Sequence, residues 1–310
     1  MTAKPNIDKS QIQALVRSCF DEPIDDLAPL GTGQIALVYS FRAGDQEFVI
    51  RFVESKMAHT LKKEVAVANL LQGSEVLLPP ILHQGPFEAF YFAIALRAAG
   101  QPLDELNTEQ YKLVLPDLIK MLDTIHQADL GNTQGYGFFD ETAVGQSASW
   151  PDFLLKVGQE EEDGFYGHWH HLFEDSFLER PLFDQLYAEM QRLFSYLPTE
   201  RWLVHGDYGY NNVLAEGEKV TAVLDWANAK FGDFLFDVAY LTTSATIDYV
   251  AAFQQFYRTH NREVPHFLER IRCYQCYISL DGLRFFAKTD SRDGYEWIKR
   301  GIAKNLGFGT

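Results

Sequence analysis

The chain has 310 residues, 46% apolar and 14% aromatic, which excludes a disordered protein and allows a core large enough for two lobes. Its net charge of −16 argues against nucleic acid as a partner and suits a cationic small molecule, or simply solubility. The start MTAKPNIDKS lacks an apolar signal core and no window reaches the ~18 apolar residues of a membrane span, so a cytoplasmic protein with no membrane partner is expected.

The first element is predicted over 9–20. Asp8 and Gln11 have capping-box spacing, and Ile12, Leu15, Val16, Cys19 and Phe20 keep helical spacing. LGTGQIALVYSF follows. Gly31, Gly33 and Ala36 have small-residue spacing that lets backbone amides approach phosphates, although a glycine-containing hairpin turn explains the same pattern. A strand follows the turn, so it is not a Rossmann turn, and the absence of GK[ST] rules out a P-loop.

The run EFVIRFV alternates, with Phe48, Ile50 and Phe52 on one face and Val49, Arg51 and Val53 on the other. Arg51 either reaches nucleotide phosphates or snorkels off a strand edge. Residues 59–71 read as a helix with Leu61, Val65 and Ala68 as its apolar stripe. Glu64 lies on that stripe and needs a partner, for which Arg51 is the obvious candidate. Strands are expected at Val76–Leu82 and Phe90–Leu96, joined through Gly85-Pro86. The linker-like run Ala98 to Pro102 places a lobe boundary between residues 98 and 99.

The rest is mainly helical. Thr108 is expected to cap a helix through Ala128 with Leu113, Leu118, Met121, Leu122 and Ile125 in the core, while His126 at its end reads as structural. A loop at 131–139 precedes a helix start at Trp150–Leu155. The segment 159–175 carries six acids and three histidines, and is either an acidic wall for a polycationic molecule or a solvated helix end. Further helices are expected at 182–197, 246–260, 264–288 and 292–304, with Pro265 and Gly294 as breaks. Cys273 and Cys276 form a CxxC with no second pair, and read as buried thiols of a reducing compartment.

Between these helices lies LVHGDYGYNNVLAEGEKVTAVLD. Asp207 is followed five residues later by Asn212 and thirteen residues after that by Asp225. Phosphoryl transfer needs this set: one carboxylate meets an acceptor hydroxyl, while an amide oxygen and a second carboxylate hold magnesium against nucleotide phosphates. Downstream, Asp233 and Asp237 flank a helix start, where they can cap amides or brace the turn. Asp281 lies within the apolar pattern of Ile278, Leu280, Leu283 and Phe285, so it is either partnered or faces a cleft.

HGDYGYNN and VLDWANAKFGD, together with LGTGQIALVYSF, EFVIRFVES, LRAAGQPL, ADLGNTQGYGFF and SWPDFL, resemble the aminoglycoside phosphotransferases over nearly the whole chain, and most closely the hygromycin branch of that family. The resemblance implies an α+β, two-lobed, protein-kinase-like fold, with a small antiparallel-sheet lobe over residues 1–98 and a mainly helical lobe over 99–310. It implies an ATP-dependent kinase, with GTP as the alternative nucleotide, that uses Mg2+ to phosphorylate a hydroxyl of an aminoglycoside or aminocyclitol and so confers antibiotic resistance.

Asp207 would orient the acceptor hydroxyl, Asn212 and Asp225 would hold the metal, and His205 and Asp237 would support the turn. Gly31, Gly33, Arg51 and Glu64 would serve the nucleotide, with main-chain contacts from Leu96 and Ala98. Arg51 stands where most members have Lys, which matches the hygromycin branch but changes the donor geometry. Asp281 first, then Asp152, Glu160 to Asp163, Glu174 and Asp175, would pair with substrate ammonium groups. A kinase of a metabolic alcohol or sugar, such as choline or homoserine, shares every one of the phosphoryl-transfer residues. A nucleotide-binding protein without turnover is disfavoured by the presence of all three. A monomer is expected.

Overall fold

The computed structural model describes residues 6–31, 36–243 and 247–308. Gly33 lies outside them. The first helix, α1 (Lys9–Cys19), begins with the expected capping box: Asp8 accepts the Ser10 amide at 2.8 Å and Gln11 accepts the Asp8 amide at 3.2 Å. Strands β1 (Ile24–Pro29), β2 (Leu37–Ala43) and β3 (Gln46–Glu54) follow, then α2 (Ala58–Leu70), β4 (Ile81–Phe87) and β5 (Phe90–Leu96). The strands form one antiparallel sheet in the order β1-β2-β3-β5-β4. The alternation in β3 sorts its side chains. Phe48, Ile50 and Phe52 pack with Phe41, Ile94 and the buried face of α1, while Val53 packs with Leu61 of α2 on the other face.

Two expectations shift here. The strand expected at Val76–Leu82 lies instead at β4, and Gly85-Pro86 falls inside it rather than in a turn. Proline is tolerated there because β4 is an edge strand. Val76 and Leu71 join the larger helical core instead, as does Val67. The helix stripe is also rotated. Leu61, Ala66 and Val67 are buried, Ala68 is exposed, and the polar member of the buried face is Lys63.

After Leu96 the chain crosses at β6 (Gln101–Pro102), enters α3 (Thr108–His126), and runs through β7 (Tyr136–Phe139), β8 (Gly145–Ser147), α4 (Trp150–Leu155), α5 (Leu172–Asp175) and α6 (Arg180–Arg192). The remaining elements are β9 (Trp202–Val204), β10 (Val213–Glu216), β11 (Lys219–Val223), β12 (Lys230–Gly232), α7 (Leu235–Leu241), α8 (Tyr249–Thr259), α9 (Phe267–Lys288) and α10 (Arg292–Leu306). The protein is thus α+β. Gly100 has φ 103°, and a Cβ there would lie 2.5 Å from Thr221 Oγ1 and 2.8 Å from the Ala215 carbonyl. That close approach lets β6 add to the β10–β11 hairpin.

Three details correct the sequence reading. Asn107, not Thr108, caps α3, accepting the Glu109 and Gln110 amides at 3.0 Å each. Val114 is buried in place of Leu113, which is 56% exposed. Gly294 is not a break but lies inside α10, where a Cβ would collide with the Phe286 ring. The longest helix, α9, packs against α6, α7 and α10, and carries Cys273 and Cys276 as buried free thiols. Among the described residues, no helix is long and apolar enough to cross a membrane.

Candidate active site

Strand β9 delivers the chain into a turn that only small residues permit. Gly206 and Gly209 have φ of 79° and 108°. Asp237, fully buried in the first turn of α7, holds this turn from beneath. Its carboxylate accepts the His205 amide at 2.9 Å, the Gly206 amide at 2.7 Å and His126 Nε2 at 2.9 Å. Burial pushes the Asp237 pKa up, but His126, His205 and the Gly206 amide outweigh it and hold the group below the usual carboxylate value. Burial lowers the pKa of His205 and favours its neutral form. Its Nε2 donates to the Leu224 carbonyl at 3.0 Å, and its Nδ1 accepts the Asp207 amide at 3.2 Å. His126, read from the sequence as structural, is part of this support through its bond to Asp237.

Asp207 is partly exposed at the top of the turn. Tyr240 OH donates to Oδ1 at 2.5 Å and Asn228 Nδ2 approaches Oδ2 at 3.5 Å. Burial raises the Asp207 pKa and the Tyr240 hydrogen bond opposes it. Tyr240 carried no signal in the sequence beyond its place one helical turn after Asp237. Asn212 donates through Nδ2 to the Asp207 carbonyl at 3.0 Å, which leaves its oxygen end for a cation. The Leu224 amide donates to the Asn212 carbonyl at 2.7 Å, so the β10–β11 hairpin sets Asn212 beside the residue preceding Asp225. Asp225 is exposed, with φ 56°, and accepts the Ala227 amide at 3.3 Å. An amide oxygen and a carboxylate are the hard donors that Mg2+ takes in ones and twos, with phosphate and water oxygens completing its shell. The residues present fit that ion. Among the described residues no group of three or more His, Cys, Asp and Glu could hold a metal without such help.

Arg51 lies at the centre of the sheet, opposite Val38 on β2 and Ala93 on β5. It forms a two-pronged pair with Glu64, one arm at 2.7 Å from NH1 to Oε1 and the other from NH2 to Oε2. Burial disfavours the guanidinium charge, but Glu64 and the more distant Asp225 carboxylate overcome it and raise the Arg51 pKa. The Asp225 effect places Arg51 within electrostatic reach of the candidate metal site. Lys63 ties α2 to the segment after Asp225, donating to the Ala227 and Ala229 carbonyls at 2.8 and 3.2 Å. Leu96 ends β5 opposite Phe48. Leu96 and Ala98 are half-buried and Gly31 is exposed, with φ 65°.

The expected acceptor acids divide into two groups. Asp281 is not a free carboxylate: Arg284 NH2 donates to it at 2.9 Å while NH1 holds Glu161 at 2.9 Å. Arg284 is buried and stacks on Tyr166, 3.6 Å from the ring centroid, so its charge is built into the wall. Asp281 still acts electrostatically on Tyr240, which places it on the Asp207 side of the protein. Glu160 pairs with His170 at 3.2 Å. Asp152, Glu174 and Asp175 are exposed and make no ion pair among the described residues. No contact brings them to Asp207.

A sheet carrying a paired cation, joined to a buried turn that presents an acid, an amide and a second acid, defines a kinase-like phosphotransferase. The family model described as "Phosphotransferase enzyme family" matches residues 26–269, and the chain belongs to this family. Among curated proteins, hygromycin-B 4-O-kinase of Escherichia coli is 29% identical over 299 residues, covering 96% of this chain and 84% of that protein. A crystal structure of a thermostable mutant of aminoglycoside phosphotransferase APH(4)-Ia, in ternary complex with AMP-PNP and hygromycin B, matches with a TM-score of 0.81 at 27% identity. It covers 96% of this chain and 99% of that one. Macrolide 2′-phosphotransferase MphH from Brachybacterium faecium matches with a TM-score of 0.67 at 17% identity, covering 98% of this chain and 99% of that one, a likeness of fold alone.

Asp237→Asn is expected to lower stability by about 3 kcal/mol at neutral pH, because it breaks a buried charged network while leaving its donors in place. The folded-state pKa of Asp237 is depressed, so its contribution is present above the unfolded value of about 4 and is lost as pH falls through the folded value. Urea unfolding of both proteins at neutral and acid pH checks this. The gap should narrow in acid, and a constant gap would contradict it.

Proposed function

We propose that the chain is an ATP-dependent kinase that phosphorylates a hydroxyl of an aminoglycoside of the hygromycin B type. The observation that carries this reading is the Asp207 carboxylate, held by Tyr240 and Asn228 directly above a turn anchored on Asp237. The 29% identity to hygromycin-B 4-O-kinase across nearly the whole chain supports the acceptor class, and the APH(4)-Ia complex with AMP-PNP and hygromycin B supports a nucleoside triphosphate as donor. A monomer acting on a cationic small molecule in the cytoplasm completes the reading.

In this mechanism Arg51, fixed by Glu64, steadies the nucleotide phosphates beneath the sheet. The turn at Gly31 and the backbone of Leu96 and Ala98 hold the rest of the nucleotide. Asn212 and Asp225 would hold Mg2+, which supplies charge neutralisation on the phosphates when bound. Asp207 accepts a hydrogen bond from the acceptor hydroxyl and aligns its oxygen with the terminal phosphorus. As the O–P bond forms and the bond to the nucleoside diphosphate breaks, the hydroxyl proton passes to Asp207. The transition state is loose, so alignment matters more than early proton removal. Asp152, Glu162 and Asp163, exposed acids that make no ion pair among the described residues, attract the acceptor's ammonium groups, whereas Glu160 and Glu161 are taken by His170 and Arg284.

One observation favours a second reading. Asp281, the inner carboxylate best placed to pair with a substrate amine, is already paired with Arg284. An acceptor with fewer amines, as in a kinase of a metabolic alcohol or sugar, would need it less. ATP consumption measured against aminocyclitols, choline and small sugars separates the two. Turnover on hygromycin B is expected, and silence there with turnover on a neutral sugar would transfer the assignment.

Asp207→Asn should lose ~10²–10⁴ in turnover with ATP binding near normal, and a variant with full phosphoryl transfer would remove Asp207 from its role. Arg51→Ala should weaken ATP binding by about tenfold, the loss of one charge-assisted contact, with the acceptor KM little changed. Unchanged ATP affinity by titration calorimetry would make Arg51 a purely structural partner of Glu64.

A further inference from the structure

Two lysines are buried behind the catalytic turn, and only Lys63 has hydrogen-bond partners. Lys230, on β12, is 3% exposed, and its ammonium makes no hydrogen bond or ion pair among the described residues. Its Nζ lies over the Phe236 ring, 4.3 Å from the centroid, and over Phe138 at 5.1 Å. It presses on the turn itself, since a Cβ on Gly206 would overlap Nζ. The absent side chain of Gly206 is what makes room for the cation next to Asp207.

The charged and titratable groups around this ammonium come from four elements. Asp207 acts on it from the turn, Asp237 from α7, Asp281 from α9, and Lys63 from α2 across the Phe138 ring. A cation so nearly buried, resting on two aromatic rings with no hydrogen-bond partner among the described residues and only a narrow opening to solvent at Nζ, is costly. Met or Leu would fill the same space without that penalty. The three carboxylates are what benefit from the charge.

We propose that Lys230 is a positioning residue for the phosphoryl transfer: its ammonium, seated on Phe236 and Phe138 under Gly206, is the resident counter-charge that holds the Asp207 carboxylate in its working place. This rests on the role given to Asp207 above. Burial drives the Lys230 pKa down to about 8, against the pull of Asp237, Asp281 and Asp207. The ammonium is present below that pH and is lost as pH rises through it. Turnover that depends on it falls on the alkaline side.

The test measures kcat and both KM values between about pH 6 and 9.5 for the wild type, Lys230→Met and Lys230→Arg. The wild type should lose kcat above about pH 8, the range set by the lowered Lys230 pKa. Lys230→Met should have kcat about 100-fold lower at neutral pH, an unchanged KM for ATP and no alkaline fall. Lys230→Arg should recover most of kcat and abolish the fall, because a guanidinium does not deprotonate in this range. Wild-type kcat in Lys230→Met, or a persisting alkaline fall, overturns the proposal. NMR of 13C-labelled lysine tests it without an acceptor or a folded Lys230 variant. Two lysine signals, Lys63 and Lys230, should titrate near pH 8, and Asp207→Asn should move one midpoint down, that of Lys230, which has the support of Asp207 that Lys63 lacks; two unmoved midpoints overturn the proposal. If the wild type phosphorylates no acceptor, the functional reading fails, and the NMR result still decides Lys230.

Discussion

Asp237 sits beneath the turn that presents Asp207, with no exposure to solvent, and its one carboxylate takes donors from two distant parts of the chain. The His205 and Gly206 amides come from the turn above and His126 comes from the end of α3. A loop with two left-handed glycines has few internal bonds of its own, so this buried acceptor fixes its shape. Everything the turn presents follows from that anchor. His205 relays the order to Leu224 on one side and to Asp207 on the other. Asn212 is tied to the Asp207 carbonyl and to Leu224, and the hairpin then sets the path to Asp225.

The parts of this arrangement that depend on local spacing were legible in the sequence. Strand alternation put Arg51 opposite the apolar face of β3, and an inward Glu on the next helix identified its partner. The same alternation, with helical periodicity, was enough to recognise a sheet followed by helices. What was hidden depends on contacts across the fold. Tyr240 reaches Asp207 only because α7 packs under the turn, and no periodicity in LFDVAYL marks its hydroxyl. Nothing in the spacing of α2 marked Lys63, yet the helix is rotated so that it points at the Ala227 and Ala229 carbonyls. The edge position of β4 was equally invisible, so Gly85-Pro86 was read as a turn. Asp281 was read as either partnered or facing a cleft and was placed first among the acids for substrate ammonium groups; that Arg284, one helical turn away, takes it depends on the geometry of Glu161 and Tyr166 as well.

Charge is distributed differently at the two scales. The chain carries −16 overall, which draws cations toward it. Close to Asp207 the balance is local and fine. Lys230 and Arg284 are buried cations set among Asp207, Asp237, Asp281 and Glu161. Under the proposed function, a long-range negative field and a nearly compensated interior would serve different steps: the first would concentrate an amine-bearing acceptor, and the second would keep its ammonium groups from pairing with Asp207.

The central claim is that this site moves a phosphoryl group to an alcohol and does not merely bind or hydrolyse a nucleotide. Phosphorus NMR of the purified protein with ATP, Mg2+ and hygromycin B tests it directly. The account predicts a new phosphomonoester signal, coupled to a sugar-ring proton, that grows as ATP is converted to ADP. ATP that stays intact, or inorganic phosphate as the sole product, would contradict it.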